Sequence, residues 1–330
     1  MSNPVPVSRG IHRLAVILAG YVVLLITAGG WVKSLEAGLS VPDWPLSYGM
    51  LNPPNWWQIE TVRAEHGHRL IAGVALILTV VLTVWIARRE ERLWVRRLAY
   101  LALGTVLAQA ALGGITVLFF LPTAISVSHA GLAQLFMILV VTLAVVTSRF
   151  WLSGREAAPG VDASRMVVLT SATTIAIYLQ ILIGAVMRHT GAGLAIPDFP
   201  LVFGGLVPPR LDFAIGIHYT HRIGALLVAT LIFWTLGWVL RQAIQETALS
   251  RPASALAVLV LAQGTLGGLV VWTSKAVLPN TLHVGTGALL IATSVVLTLA
   301  SRRLSWLADR QQATSLAPVV EMLETEHVTT

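Results

Sequence analysis

Four histidines, His68, His129, His221 and His283, recur in two pairs along the chain, His68 and His221 being 153 residues apart and His129 and His283 154. Each sits near the start of a long apolar stretch. One histidine in such a place is read first as a hydrogen-bonded packing residue. Four at matched positions point to a ligand set, because polar side chains within apolar spans are costly and mark function. Imidazole ligates iron and zinc. A closed zinc site needs four ligands and a catalytic one three, whereas each half of this chain offers one reliable pair. Two imidazoles on alternate helices at one depth can approach a flat macrocycle from both faces, so haem fits better than zinc.

The surroundings of the two pairs differ. Glu65-His66-Gly67-His68-Arg69 in the first half stands against His218-Tyr219-Thr220-His221-Arg222 in the second. Glu65 thus corresponds to His218, each one helical turn before a candidate ligand. A carboxylate at a haem edge can act as base, acid or electrostatic partner; the competing reading is an interfacial glutamate, solvated or paired with Arg63. Arg69 and Arg222 are candidate partners for haem propionates, or they snorkel to the membrane surface. His12, His66, His189 and His327 have no repeat partners; His66 and His189 read as interfacial.

The elements that must position these residues follow from composition. Of 330 residues, 56% are hydrophobic and 11% charged, with a mean hydropathy of +0.78. Apolar runs near 12–32, 64–86, 98–120, 126–148, 165–187, 214–240, 253–273 and 282–300 are each close to the ~20 residues that cross a bilayer. In lipid such isolated segments must be helices. The fold class expected is therefore all-α integral membrane, with eight transmembrane helices as two tandem pseudo-symmetric four-helix bundles. The repeat extends to the loops: Gly38-Leu39-Ser40-Val41-Pro42-Asp43-Trp44-Pro45-Leu46 matches Gly193-Leu194-Ala195-Ile196-Pro197-Asp198-Phe199-Pro200-Leu201, 155 residues on, and Leu112-Gly113-Gly114 matches Leu266-Gly267-Gly268. The Pro and Asp of the loop motif read as turn chemistry, its Trp or Phe as a ring packed at the mouth of a site.

Residues 1–150 form the half with the substrate site, 160–303 the half with the cofactor site, and 304–330 a polar tail without regular structure. Fifteen of the 22 basic residues, from Arg9 to Arg310, fall on the side of the termini and even-to-odd loops, Arg155 among them. Both termini are accordingly expected in the cytoplasm of a multi-pass plasma-membrane protein. The net charge of +7 reflects that asymmetry, with lipid and no nucleic acid as partner. The absence of cysteine excludes disulfides, iron–sulfur clusters and thioether-linked haem.

From about Ile11 to Arg303 the chain resembles the haem A synthase family, on its eight spans, its duplicated halves, Glu65-x-x-His68-Arg69, and His129, His221 and His283. The resemblance implies oxidation of a haem O methyl substituent to formyl, giving haem A for terminal oxidases. It implies that His68 and His129 flank the substrate haem O, that His221 and His283 ligate the iron of a haem b, and that Glu65 is catalytic. Haem O synthase, terminal oxidase assembly components and an electron acceptor are the partners implied, and a homo-oligomer is left open. Many members of the family carry a cysteine pair in the first outer loop, and the nearest matching positions here are Ser40 and Ser47. Two other functions share the histidine pattern: a di-haem b-type cytochrome for quinol electron transfer, and a haem carrier.

Overall fold

The structure, a computed structural model, describes residues 9–153 and 163–328, with side chains through 311. Arg155 lies outside the described residues, as does the side chain of His327. Eight helices are long and apolar enough to cross a membrane. They are α1 Arg9–Ser34, α2 Glu60–Arg89, α3 Leu93–Leu118, α4 Thr123–Val146, α5 Ala163–His189, α6 Phe213–Ala243, α7 Thr247–Trp272 and α8 Val277–Val328. At 1.5 Å per residue, even 24–26 residues rise about 36–39 Å, beyond the ~30 Å of a hydrocarbon core. No strand forms among the described residues, only isolated bridges between Ser47 and Met50 and between Val202 and Gly205.

Most helices overrun the apolar runs by a turn. α6 begins where Asp212 caps it, its carboxylate accepting from the Ile215 N–H at 2.9 Å. α7 runs from Thr247, six residues before the apolar run near 253–273, and takes Pro252 as its sixth residue, where the ring removes the bond to the Ala248 carbonyl. The larger departure is the tail. Residues 304–328, expected without regular structure, continue α8 to Val328. The stretch holds Ala, Leu, Gln and Glu and no glycine, residues that extend an already nucleated helix, and the helix runs on through Pro318 despite the bond its ring removes.

Within the first half α1 packs on α2, α2 on α3, α3 on α4, and α4 closes back on α1; α5 to α8 repeat this ring. The halves meet through α1 against α8, α4 against α5, and α4 against α8, as expected of two units exchanged by a two-fold axis beside α4 and α8. These two are the central helices: 50% and 61% of their most apolar stretch is buried, against 17–33% for the rest. Small residues set the approach of the halves, as is usual in lipid. A Cβ on Gly285 of α8 would lie 2.6 Å from Thr27 Oγ1 of α1, and one on the matching Gly131 of α4 would lie 2.8 Å from Leu182 of α5. Arg188 of α5 adds a polar tie, its Nη2 donating to Gly30 O and Ser34 Oγ of α1, both at 2.9 Å.

Candidate functional site

The ring order puts ligand helices and backing helices in alternation. α2 carries His68 and α4 carries His129, diagonal to each other, and α1 and α3 stand between them with glycines behind the rings. A Cβ on Gly29 of α1 would lie 3.1 Å from the His68 ring, and one on Gly113 of α3 would lie 3.3 Å from that of His129. The second half repeats this: Gly184 of α5 behind His221 (2.9 Å) and Gly267 of α7 behind His283 (3.3 Å). A side chain at these positions would push each imidazole off its seat. All four rings are half-buried, with Nδ1 of His68, His129 and His283 buried and without a hydrogen-bond partner among the described residues. The sequence singled out Gly113 and Gly267 only as repeat markers and missed Gly29 and Gly184; the 155-residue offset of the loop motif also relates that pair.

The rings of His221 and His283 have centroids 6.5 Å apart and planes at 69°. Metal–imidazole bonds of about 2 Å on each side of an iron, with about 1 Å from nitrogen to ring centre, require centroids about 6 Å apart. These residues therefore fit a six-coordinate haem iron. They do not fit a closed zinc site: no group of three or more His, Cys, Asp or Glu converges among the described residues.

Above each histidine pair lies a folded loop. Asp43 accepts from the N–H groups of Tyr48 and Gly49, both at 2.7 Å, and Asp198 accepts from Phe203 and Gly204, both at 2.8 Å. The Gly49 amide foremost, then that of Tyr48, outweighs the opposing effect of burial and holds the Asp43 carboxyl below its ordinary value; Gly204 and Phe203 do the same for Asp198. The Asp of the motif is turn chemistry, as its sequence suggests. The motif's aromatic rings cap the second glycine of each Leu-Gly-Gly: a Cβ on Gly114 would lie 2.6 Å from Trp44, one on Gly268 2.9 Å from Phe199. Gly113 and Gly114 thus receive a histidine and a loop ring side by side, as do Gly267 and Gly268.

Glu65 is 4% exposed. Its Oε2 accepts from the Val41 N–H at 2.8 Å and its Oε1 pairs with Arg69 Nη2 at 2.7 Å. Arg63, the partner considered from sequence, instead donates to Trp57 O. His218 is held alike, Nδ1 accepting from the Ile196 N–H at 3.2 Å and Nε2 facing Arg222 Nε at 3.1 Å. Carboxylate and imidazole thus perform one architectural task, fastening the loop to the helix of the first ligand. Arg69 and Arg222 share it. Arg69 also donates to the carbonyls of Asp43, Leu46 and Val41 at 2.6–3.0 Å, and Arg222 to those of Leu201 and Ile196 at 2.9 and 3.1 Å. Both guanidinium groups hold loop backbone, a role that neither propionate pairing nor snorkelling foretold.

His66 lies in the first turns of α2, under the outer loop. It is 1% exposed, bonded to Ser47 Oγ at 2.8 Å and Asn52 Oδ1 at 3.3 Å, and edge-on to Trp56. Ser47 therefore has a buried hydrogen-bonding role. Two further residues escaped the sequence reading. Gln109 donates to His129 O at 3.0 Å, and its counterpart Gln263 meets His283 Nε2 at 3.3 Å.

The chain matches the COX15-CtaA family, described as cytochrome oxidase assembly protein, over residues 2–141 and 64–295. It is 32% identical to the "Heme A synthase" of Symbiobacterium thermophilum over 282 residues, covering 82% of this chain and 89% of that one. It is also 32% identical to that of Shouchella clausii over 82% of this chain and 89% of the relative. Against that of Halalkalibacterium halodurans the identity is 29% over 79% and 87%.

Proposed function

We propose, from the premise that this chain belongs to the COX15-CtaA family of cytochrome oxidase assembly proteins, that His68 and His129 hold a haem O substrate while His221 and His283 ligate a haem b. The chain makes haem A, oxidising a methyl substituent of haem O to a formyl group, as a multi-pass protein of the plasma membrane. The observation that carries the assignment of sites is the alternation of paired histidines with glycine-backed walls, once in each half. An electron-carrying pair or a haem carrier would share those walls; loop fastening is met by carboxylate and imidazole alike, and a charge beside one site only is what oxidation of a bound substrate would use.

Methyl to formyl is a four-electron oxidation that adds one oxygen atom, proceeding in two steps through a hydroxymethyl group. His68 and His129 fix the plane of the substrate, and the Trp44 cap shuts the loop side of the wall. Glu65 stabilises or deprotonates the intermediate. The Glu65 oxygens are engaged by the Val41 N–H and Arg69, and a carboxylate oxygen retains a further lone pair for a substrate group. Bound at His221 and His283, haem b supplies one-electron redox chemistry for electrons leaving the first half. We place both termini in the cytoplasm, since Arg88, Arg89, Arg92, Arg96 and Arg97 cluster at the α2–α3 end. Haem O synthase and terminal oxidase assembly components are the partners that such a substrate and product require.

The test is the pigment content of the purified chain from cells that supply haem O. Haem A or a hydroxymethyl intermediate alongside haem b is expected. Haem b alone, at two per chain, would overturn the enzyme in favour of a cytochrome.

A further inference from the structure

Of the four candidate ligands, only His221 has a partner at Nδ1 among the described residues. Gln180 of α5 places Nε2 at 3.0 Å from that nitrogen and 2.7 Å from the carbonyl of His221. The Oε1 of the same amide is buried without a partner among the described residues. Room for the amide exists because residue 224 is glycine: a Cβ there would collide with Gln180 Oε1. The first half has neither feature. By the 155-residue offset that relates Gly29 to Gly184, Gln180 corresponds to Leu25. By the 153-residue offset of the first histidines, Gly224 corresponds to Ile71. An amide and the gap that admits it in the second half thus replace two aliphatic side chains, and His68 has a buried, unpartnered Nδ1.

We propose that Gln180 is a positioning residue for His221, and that the Gln180–Gly224 pair, set against Leu25–Ile71, is what makes the second haem resident and the first exchangeable. The inference rests on the reading of His221 as a haem b ligand. A neutral imidazole that gives one ring nitrogen to a metal carries its proton on the other, and an acceptor for that proton fixes the ring and raises its basicity. Amide oxygen and nitrogen are assigned from their surroundings. With Nδ1 protonated, the amide turns about its last bond so that its unpartnered oxygen accepts from Nδ1–H, giving up the bond to the His221 carbonyl. A more basic, firmly oriented ligand favours the ferric state and slows haem loss. His68, whose repeat-equivalent positions carry Leu25 and Ile71 instead of an amide and a glycine, lets its haem depart once oxidised.

The experiment uses the full chain in detergent with Gln180→Leu, Gln180→Glu and, as reference, His221→Ala. The readouts are haem b per protein after prolonged dilution, the midpoint potential of the haem b, and its low-spin electron paramagnetic resonance signal. Gln180→Leu is expected to lose haem b several-fold faster and to raise the midpoint. Gln180→Glu, a stronger acceptor of similar size, is expected to lower the midpoint, and this opposite sign is a result that mere misfolding would not produce. Haem b retention and midpoint unchanged in both Gln180 variants, with His221→Ala stripped of haem b, would overturn the proposal alone. Normal haem b in His221→Ala would instead overturn the ligand assignment beneath it.

Discussion

Glu65 and His218 show how one position serves two chemistries. Both accept a loop N–H and both meet the arginine one turn later, so a loss of function on changing Glu65 could come from a loosened loop or from missing catalysis. The matched pair separates the two. Glu65→Gln keeps size and one carbonyl acceptor but loses the charge, and weakening its contacts costs about 1–3 kcal/mol. The variant is expected to insert, to retain haem b and bind haem O, and to make haem A at least about tenfold more slowly, equivalent to roughly 1.4 kcal/mol in the barrier. His218→Gln disturbs the same fastening in the other half and should leave haem A formation within about twofold. Equal losses from both, measured as haem A per haem b, would assign the effect to the loops and remove the carboxylate from the mechanism.

At the scale of the element, the sites depend on how closely one helix can lie against a ligand on the next. In lipid, helices gain little from apolar burial and rely on close packing at small residues. Here the same glycines that allow close packing also seat the imidazoles. Gly184→Val would drive atoms into a ring that already lies 2.9 Å from the position of a Cβ. Haem b content is expected to fall several-fold while α5 still inserts. Gly237→Val on α6, where nothing lies within 4 Å, is the control for a β-branched residue in a spanning helix and should keep its haem. Optical spectra of the two purified variants check this; equal haem content in both would mean that the glycine wall does not seat His221.

At the scale of the molecule, the pseudo-two-fold arrangement places both loop-capped sites at one end of the bundle, because an even number of spans returns the second half to the starting side. In the proposed orientation, with the termini in the cytoplasm, both loop-capped ends face outward. Reporter fusions after Arg89 and Arg303 are expected to read cytoplasmic and one near Asn52 the opposite. A cytoplasmic reading near Asn52 would invert the molecule and put both haem sites on the inner side.

Spans, duplication and the four histidines were legible in the amino-acid order because each is a local or periodic signal. Hydropathy alone separates lipid-crossing segments from loops, and a duplication preserves residue offsets whatever the packing. The same local logic differs from the structure at the tail, where polar composition was read as irregular although α8 continues to Val328. The burial of His66 was not legible either, since it depends on a loop folding back over it. Only the tertiary structure could decide what lies across from what. It set Gly29 and Gly184 behind histidines on other helices, turned Arg69 and Arg222 toward loop carbonyls, and brought Gln180 to His221 from 41 residues away. These are contacts between helices, and they depend on the angle and depth at which two helices cross. No spacing along a single helix encodes that geometry, since it is settled by every small and large side chain along both contact faces together.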